Sequence, residues 1–124
     1  MLNIEYPEVD LLLGGVRPGA ARTRETVFNP ATGERIGTYP VATTADLDAA
    51  LAAAQRGFEH WRGVSAHDRG RVLKRAAQLL RERGEGIARL AALESGKSIH
   101  EARIELNAAA DLFEWYGEEC RRVY

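Results

Sequence analysis

Three pairs of hydroxyl and acidic residues constrain the fold of this chain more than any other feature of its sequence. In each pair a Ser or Thr precedes an Asp or Glu by three residues, at the head of an apolar repeat of helical period. That spacing lets the hydroxyl accept a hydrogen bond from a free amide of the first helical turn, while the acid reaches back to the cap amide. The pairs therefore predict helix starts at Thr43–Asp46, Ser65–Asp68 and Ser98–Glu101.

Apolar residues at helical spacing extend these starts into four helices. Gly84 and Gly86 separate the second helix from a shorter one over about residues 85–95, which ends at Gly96, a residue suited to a left-handed cap. The last helix carries an apolar seam, with alternating spacings of four and three residues, over 102–123. That seam indicates either packing against the body of a larger protein or a coiled coil. Its members are Ala102, Leu106, Ala109, Phe113, Tyr116, Cys120 and Val123.

Residues 1–42 show no helical period. Val9–Leu13 predicts a short strand, and two β-prone runs flank the turn-forming segment Asn29–Gly33. We therefore expect a hairpin over residues 25–41 with a five-residue loop, whose second strand Pro40 ends or holds at an edge. The predicted fold class is α+β, with short N-terminal β-hairpins followed by four helices.

The composition excludes several classes of function. A formal net charge of -1 gives no basic surface for nucleic acid or for an anionic membrane. No apolar run approaches the ~20 residues that span a bilayer, and the first ten residues lack the basic start of a secretory signal. The lone cysteine, Cys120, forms no internal disulfide, which is typical of a reducing compartment. We expect a cytoplasmic protein with neither nucleic acid nor membrane as a partner.

The sequence holds no credible catalytic set. Gly96-Lys97-Ser98 is similar to the end of a phosphate-binding loop, but that pattern requires a glycine where this chain has Ala91. Cys120 lies late in the last helix, where the helix dipole disfavours a thiolate, and on the apolar seam, so we expect a buried structural thiol. The histidines lack metal-ligand spacing and are expected to face solvent. They are His60, His67 and His100.

In their order and spacing these segments resemble the aldehyde dehydrogenase superfamily. The segment TVFNPATGERIG at residues 26–37 is similar to that family's early hairpin, and DLDAALAAA at 46–54 is similar to its first helix. The segments RGRVL at 69–73 and LESGKS at 93–98 follow in the family's order. The ending, LFEWYGEECRRVY at 112–124, most resembles the succinate-semialdehyde dehydrogenase branch.

The resemblance implies a parent protein several times longer than this chain. That parent would use NAD or NADP to oxidise an aldehyde, such as succinate semialdehyde, to a carboxylate, and would form a homodimer or homotetramer. Residues 43–124 would be the helical portion of its α/β NAD(P)-binding domain, preceded by the β-hairpin region at 1–42. The family's catalytic cysteine, nucleotide-binding units and oligomerisation strands would all come later. The chain alone is therefore expected to be inactive scaffold that binds no cofactor.

A structural sodium or potassium ion is also implied by the resemblance. In several family members such an ion is held by two backbone carbonyls and an acid, at positions that match Val27, Phe28 and Glu94 here. A hard cation requires several oxygens, so further ligands would have to come from later residues. The alternative is that Lys97, Arg89 or solvent satisfies the Glu94 carboxylate.

The substrate entrance is the second site that the resemblance implies. Ile104 and Ala108 match positions of the family's fourth helix that face the aldehyde entrance, although packing against another segment explains them equally well. Two other hypotheses stay open: a self-contained helical module that associates through the 102–123 seam, and a truncated product that barely folds. An end on a helix without a C-terminal cap favours truncation over a designed end.

Overall fold

A computed structural model describes residues 6–18 and 21–122 of the chain, and its elements follow the predicted order. The predicted α+β class is confirmed, because one antiparallel hairpin precedes four helices. One compact unit contains both strands and the first helix, and another contains the hairpin turn and the remaining three helices. The elements are β1 (Arg24–Phe28), β2 (Arg35–Pro40), α1 (Thr44–Gly63), α2 (Ala66–Glu82), α3 (Gly84–Ser95) and α4 (Ile99–Glu119).

The three predicted helix starts are confirmed. At α1 the Asp46 amide donates to the Thr43 hydroxyl (3.2 Å), and the Thr43 amide donates to the Asp46 carboxylate (2.9 Å). Ser65 caps α2 in the same way, and Ser98 caps α4 within a complete capping box with Glu101. Each such hydroxyl stabilises its helix by about 1 kcal/mol, because it satisfies an amide that has no partner within the helix.

The predicted hairpin also forms, and its turn is built by Asn29. The Asn29 side-chain oxygen accepts a hydrogen bond from the Ala31 amide (2.9 Å), and its carbonyl accepts one from the Gly33 amide (2.8 Å). Gly33 has a φ of 73°, a left-handed conformation that favours glycine. The strand register shifts between Val27 and Phe28, where an irregularity interrupts the ladder.

The prediction of a strand at Val9–Leu13 is wrong. Only Leu13 pairs, in an isolated bridge with Val16, through two hydrogen bonds of 2.8 and 3.0 Å. Within the described residues the sheet contains only β1 and β2, and a side chain binds the carbonyl at the start of this segment. The Val9 carbonyl accepts a hydrogen bond from the Arg24 guanidinium (2.8 Å), which also donates to Thr38.

A largely buried ion pair joins the chain before β1 to the start of α1. The Arg22 guanidinium donates twice to the Asp46 carboxylate, at 2.6 and 3.2 Å, and both side chains are only 10% exposed. These bonds from Arg22 and those from Thr43 together hold the pKa of the Asp46 carboxyl well below its usual range. One carboxylate thus serves both as an ion-pair partner and as a helix cap.

The helical unit has a core made of the smallest residues. In its described part every buried residue is a glycine or an alanine. At Gly70 of α2 an added Cβ would lie 2.6 Å from the carbonyl oxygen of Gly117 in α4, so the two helix backbones touch there. Ala88 and Ala92 of α3 pack against Ala102 of α4 to form the buried apolar cluster.

The last helix is shorter than the apolar seam predicted over 102–123, and the packing of that seam on a larger protein or in a coiled coil stays a prediction. The helix ends at Glu119, with residues 120–122 in turns, and Val123 lies outside the described residues. The buried positions of α4 are Ala102, Ala110 and Gly117, whereas Ala109 and Tyr116 of the seam are exposed. Because α4 lies close to the α2 backbone, only small residues of α4 fit in the contact, and most of its large side chains are exposed.

Large apolar side chains are exposed on both units. On α1 the face predicted to be apolar is open, with Leu51 70% and Phe58 58% exposed. Phe113 and Tyr116 on α4 are 42% and 52% exposed. Exposed apolar surface of this extent is typical of a surface that another protein segment or a partner covers.

Replacing Gly70 by Ala is expected to destabilise the chain. A methyl group at this position collides with the Gly117 carbonyl, and overpacking of this kind costs about 1–3 kcal/mol, more than the gain in helix propensity of about 0.5–1 kcal/mol. Gly57→Ala in α1 is the matched control, because nothing lies within 4 Å of its added methyl group. Urea unfolding should show opposite signs for the two substitutions; equal stabilisation by both would contradict the close helix contact.

Acid is expected to weaken the Arg22–Asp46 pair. Because the folded pKa of Asp46 is lowered, its contribution to stability is complete above the usual carboxyl value of about 4 and is lost as the pH falls further. Asp46→Asn should therefore lower the melting temperature at pH 7, and the gap to the unsubstituted chain should narrow by pH 3. Asp48→Asn, an exposed position two residues later, is the control. Identical melting temperatures for the two variants at pH 7 would argue against a stabilising pair.

Candidate functional site

Helix α4 carries both residues predicted for the substrate entrance. Ile104 is 56% exposed and Ala108 is also exposed, one turn further along the same side of the helix. Neither belongs to the face that packs on α2 and α3, which contains Ala102, Ala110 and Gly117. The structure thus places the two residues together on an open surface. Their role at an entrance stays a prediction.

A shallow cavity of about 300 Å³ lies beside Ile104. Its other lining residues are charged: Lys97, Glu101 and Glu105. The Lys97 ammonium donates to the Glu105 carboxylate at 2.5 Å, and Glu101 caps the start of α4. These charges already satisfy one another or the backbone, so this cavity offers a neighbouring ligand mainly the apolar surface of Ile104.

A larger apolar groove runs between α2 and α4, with a volume of about 600 Å³. The Tyr116 ring within it also meets Trp115 edge-on, with centroids 4.8 Å apart. Cys120 was expected to be buried, but it is half-buried at the C-cap of α4 and lines this groove, because α4 ends there. The groove is lined by Leu73, Leu112, Phe113, Tyr116, Glu119 and Cys120.

Ion pairs fix α4 along α2. Arg81 donates to Asp111 (2.7 Å) and to Glu114 (2.8 Å), and both contacts raise the pKa of the guanidinium. Lys74 pairs with Glu118 and lowers the pKa of that carboxyl. Exposed pairs of this kind contribute little to stability, so their main effect is to set the position of one helix on the other.

A second charged cluster ties α4 to α3. Glu85, in the first turn of α3, accepts hydrogen bonds from Arg103 (3.0 and 2.9 Å) and Arg89 (2.7 Å). The hydrogen bonds from Arg103, the larger influence, and from Arg89 lower the pKa of the Glu85 carboxyl to about 2. Arg103 directly precedes Ile104 in α4. Its bonds to Glu85 therefore attach α4 to α3 next to the residue predicted to line the entrance.

The predicted cation ligands lie in different elements. Val27 and Phe28 are in β1, at the register shift, and Glu94 is the next-to-last residue of α3. Across residues 6–18 and 21–122 no group of three or more His, Cys, Asp or Glu side chains is arranged to hold a metal ion. A cation held by the Val27 and Phe28 carbonyls and Glu94 stays a prediction.

The junction at Gly96-Lys97-Ser98 is a helix boundary, as predicted. Gly96 caps α3 with a φ of 71°, and Ser98 begins α4. Glycine is also required by space, since an added Cβ would lie 3.0 Å from the Pro30 ring of the hairpin turn. The two motifs that carry the family resemblance, the Asn-Pro turn and the Gly-Lys junction, are therefore packed together.

The starts of all four helices are unsuited to phosphate. Each carries an acid in its first turn, and in α1, α2 and α4 the side chain of the cap already binds a free amide. A nucleotide phosphate would meet negative charge where it requires open N–H groups. The acids are Asp46, Asp68, Glu85 and Glu101.

The structure also bears on the predictions for the histidines and for membrane-spanning helices. His60, His67 and His100 are exposed, as predicted. No helix in the described ranges is both long and apolar enough to cross a membrane. The α2–α4 groove and the Gly70–Gly117 contact were not predicted, although a glycine inside each helical pattern was the available signal for a close backbone approach.

Comparison with known proteins identifies relatives along the whole chain. The model of the aldehyde dehydrogenase family matches residues 17–124. The 4-(hydroxymethyl)benzenesulfonate dehydrogenase of Comamonas testosteroni is 49% identical over 100% of this chain and 26% of its own length. Glutarate-semialdehyde dehydrogenase of Pseudomonas putida is 42% identical, and the NADP(+) succinate-semialdehyde dehydrogenase of Escherichia coli is 38% identical, each over 79% of this chain and 20% of its own length.

Solved structures agree with the sequence relatives. An aldehyde dehydrogenase from Brucella melitensis biovar abortus superposes on 100% of this chain with a TM-score of 0.90 and 34% identity, and the match covers 26% of that protein. The chain thus spans about a quarter or less of the length of the proteins it matches. The predicted similarity to succinate-semialdehyde dehydrogenases is confirmed. The chain is also similar to glutarate-semialdehyde dehydrogenases and to a 4-(hydroxymethyl)benzenesulfonate dehydrogenase.

The exposed α2–α4 groove is expected to make the isolated 124-residue chain bind a hydrophobic dye such as ANS. Replacing Leu112 and Phe113 together by Ser should remove much of the dye fluorescence, because both line the groove. Leu12→Ser is the control, since Leu12 is 66% exposed but lies outside the groove lining. Circular dichroism checks that the helices persist. A monodisperse chain that binds no dye would show that the groove is closed.

Proposed function

This chain belongs to the aldehyde dehydrogenase family, and we propose that it is the amino-terminal segment of an NAD(P)-dependent enzyme that oxidises an aldehyde to a carboxylate. The observation that carries the proposal is the match to dehydrogenases over the entire chain, at up to 49% identity among the relatives described, against only about a quarter of their length. The rest of such an enzyme would follow in sequence. The alternative of a self-contained module that associates through the 102–123 seam has no support from these relatives.

The role we propose for this segment is scaffold. In the described residues most large apolar side chains of α1 and α4 are exposed, which suits helices that are covered by other parts of a larger protein. Cys120 is half-buried at the C-cap of α4, in a groove whose lining includes no histidine that could act as its base. We therefore assign the nucleophile to a later part of the enzyme.

The residues described here do not fit a nicotinamide dinucleotide. A dinucleotide pyrophosphate is held where a glycine-rich turn joins a strand to a helix N-terminus. In this chain Gly84 and Gly86 open α3 directly after another helix, and Glu85 between them is ionised and held by two arginines. NAD or NADP would be held elsewhere in the enzyme, and no step of the reaction is assigned to residues of this segment.

We propose an aldehyde with a distal anionic group as the substrate class. Succinate and glutarate semialdehydes carry a carboxylate at the end opposite the aldehyde. The compound named for the aromatic relative, 4-(hydroxymethyl)benzenesulfonate, is an alcohol that carries a sulfonate opposite its oxidisable hydroxymethyl carbon. The shared chemistry is an oxidisable carbon at one end and a fixed negative charge at the other. A cationic pocket for that charge would belong to the later part of the enzyme.

We also propose that Ile104 and Ala108 form one wall of the passage to the reacting centre. What supports this is their exposure on one side of α4, off its packed face, and the apolar surface that Ile104 adds. The Glu85–Arg103 bonds would hold that wall in place. A small side chain at position 108 leaves room for a bulky substrate.

Enlarging residue 108 in the whole enzyme is expected to narrow the passage. Ala108→Phe should lower kcat/KM for an aromatic aldehyde by about tenfold or more, an effect typical of a steric change in a binding pocket, with a smaller loss for a short aliphatic aldehyde. Ala109→Phe is the matched control, because Ala109 is also exposed but points to a different side of α4. Equal losses for both substitutions, or for both substrates, would contradict an entrance role.

The proposed function is tested by steady-state oxidation with the whole enzyme. Succinate semialdehyde, glutarate semialdehyde and 4-formylbenzenesulfonate would be compared with butanal and benzaldehyde, each with NAD+ and NADP+. A hydrogen-bonded charge is worth about 1.5–3 kcal/mol, so kcat/KM should favour the anionic aldehydes by tenfold or more. Equal rates with uncharged aldehydes would refute the substrate class, and no oxidation with either cofactor would refute the enzyme. The isolated chain should show no saturable NAD+ binding.

A further inference from the structure

We draw no further inference here: the strongest candidate, the apolar groove between α2 and α4 lined by Leu73, Leu112, Phe113, Tyr116 and Cys120, is an unpartnered helix face, and nothing in the structure shows which segment or partner covers it.

Discussion

The close approach of α4 to α2 is the constraint on which the helical unit depends. Gly70 and Gly117 let the two backbones touch, and alanines continue the contact along α2, α3 and α4. A core of this kind brings helices together without burying large side chains. Full burial of a Leu or Phe contributes about 1.5–3 kcal/mol, so a core of alanines leaves much of the available hydrophobic stabilisation unused. The same geometry that closes the core leaves Leu112 and Phe113 exposed.

Local chemistry explains which elements the sequence could predict. A helix cap such as Thr43 with Asp46 requires only residues within one turn, and the Asn29 turn requires only residues within its loop. Each was predicted with its bounds nearly right, because no distant contact competes with it. The junction at Gly96 was predictable for the same reason, because a φ of 71° at a helix C-cap favours glycine whatever lies around it.

The errors all involve contacts that sequence spacing does not specify. A strand requires a partner, and the carbonyl of Val9 found the Arg24 side chain instead. The α4 seam follows the largest apolar residues, whereas the buried face follows the smallest, because α2 comes too close at Gly70 for a Tyr to fit. Tyr116 of the seam is exposed, and the glycine beside it, Gly117, is buried. Glycines inside helices are thus the more informative signal in this chain.

The role that we propose for this segment rests on three features of its structure. Acids occupy the first turns of the four helices, the cysteine lies at a helix end, and most large apolar side chains of α1 and α4 are exposed. These features support the scaffold role that we propose for this segment. The predicted entrance residues, Ile104 and Ala108, lie on the one side of α4 that is neither packed on α2 nor on α3.

Hydroxyl-radical footprinting tests the central claim, that this segment is built to be covered by the rest of a larger enzyme. The oxidation rates of Leu51, Phe58, Phe113 and Tyr116 would be measured in the isolated 124-residue chain and in the whole enzyme. These side chains are 42–70% exposed in the chain, so they should react readily there and be strongly protected in the whole enzyme. Equal oxidation rates in the two proteins would contradict the claim and would mean that these surfaces stay open in the complete molecule.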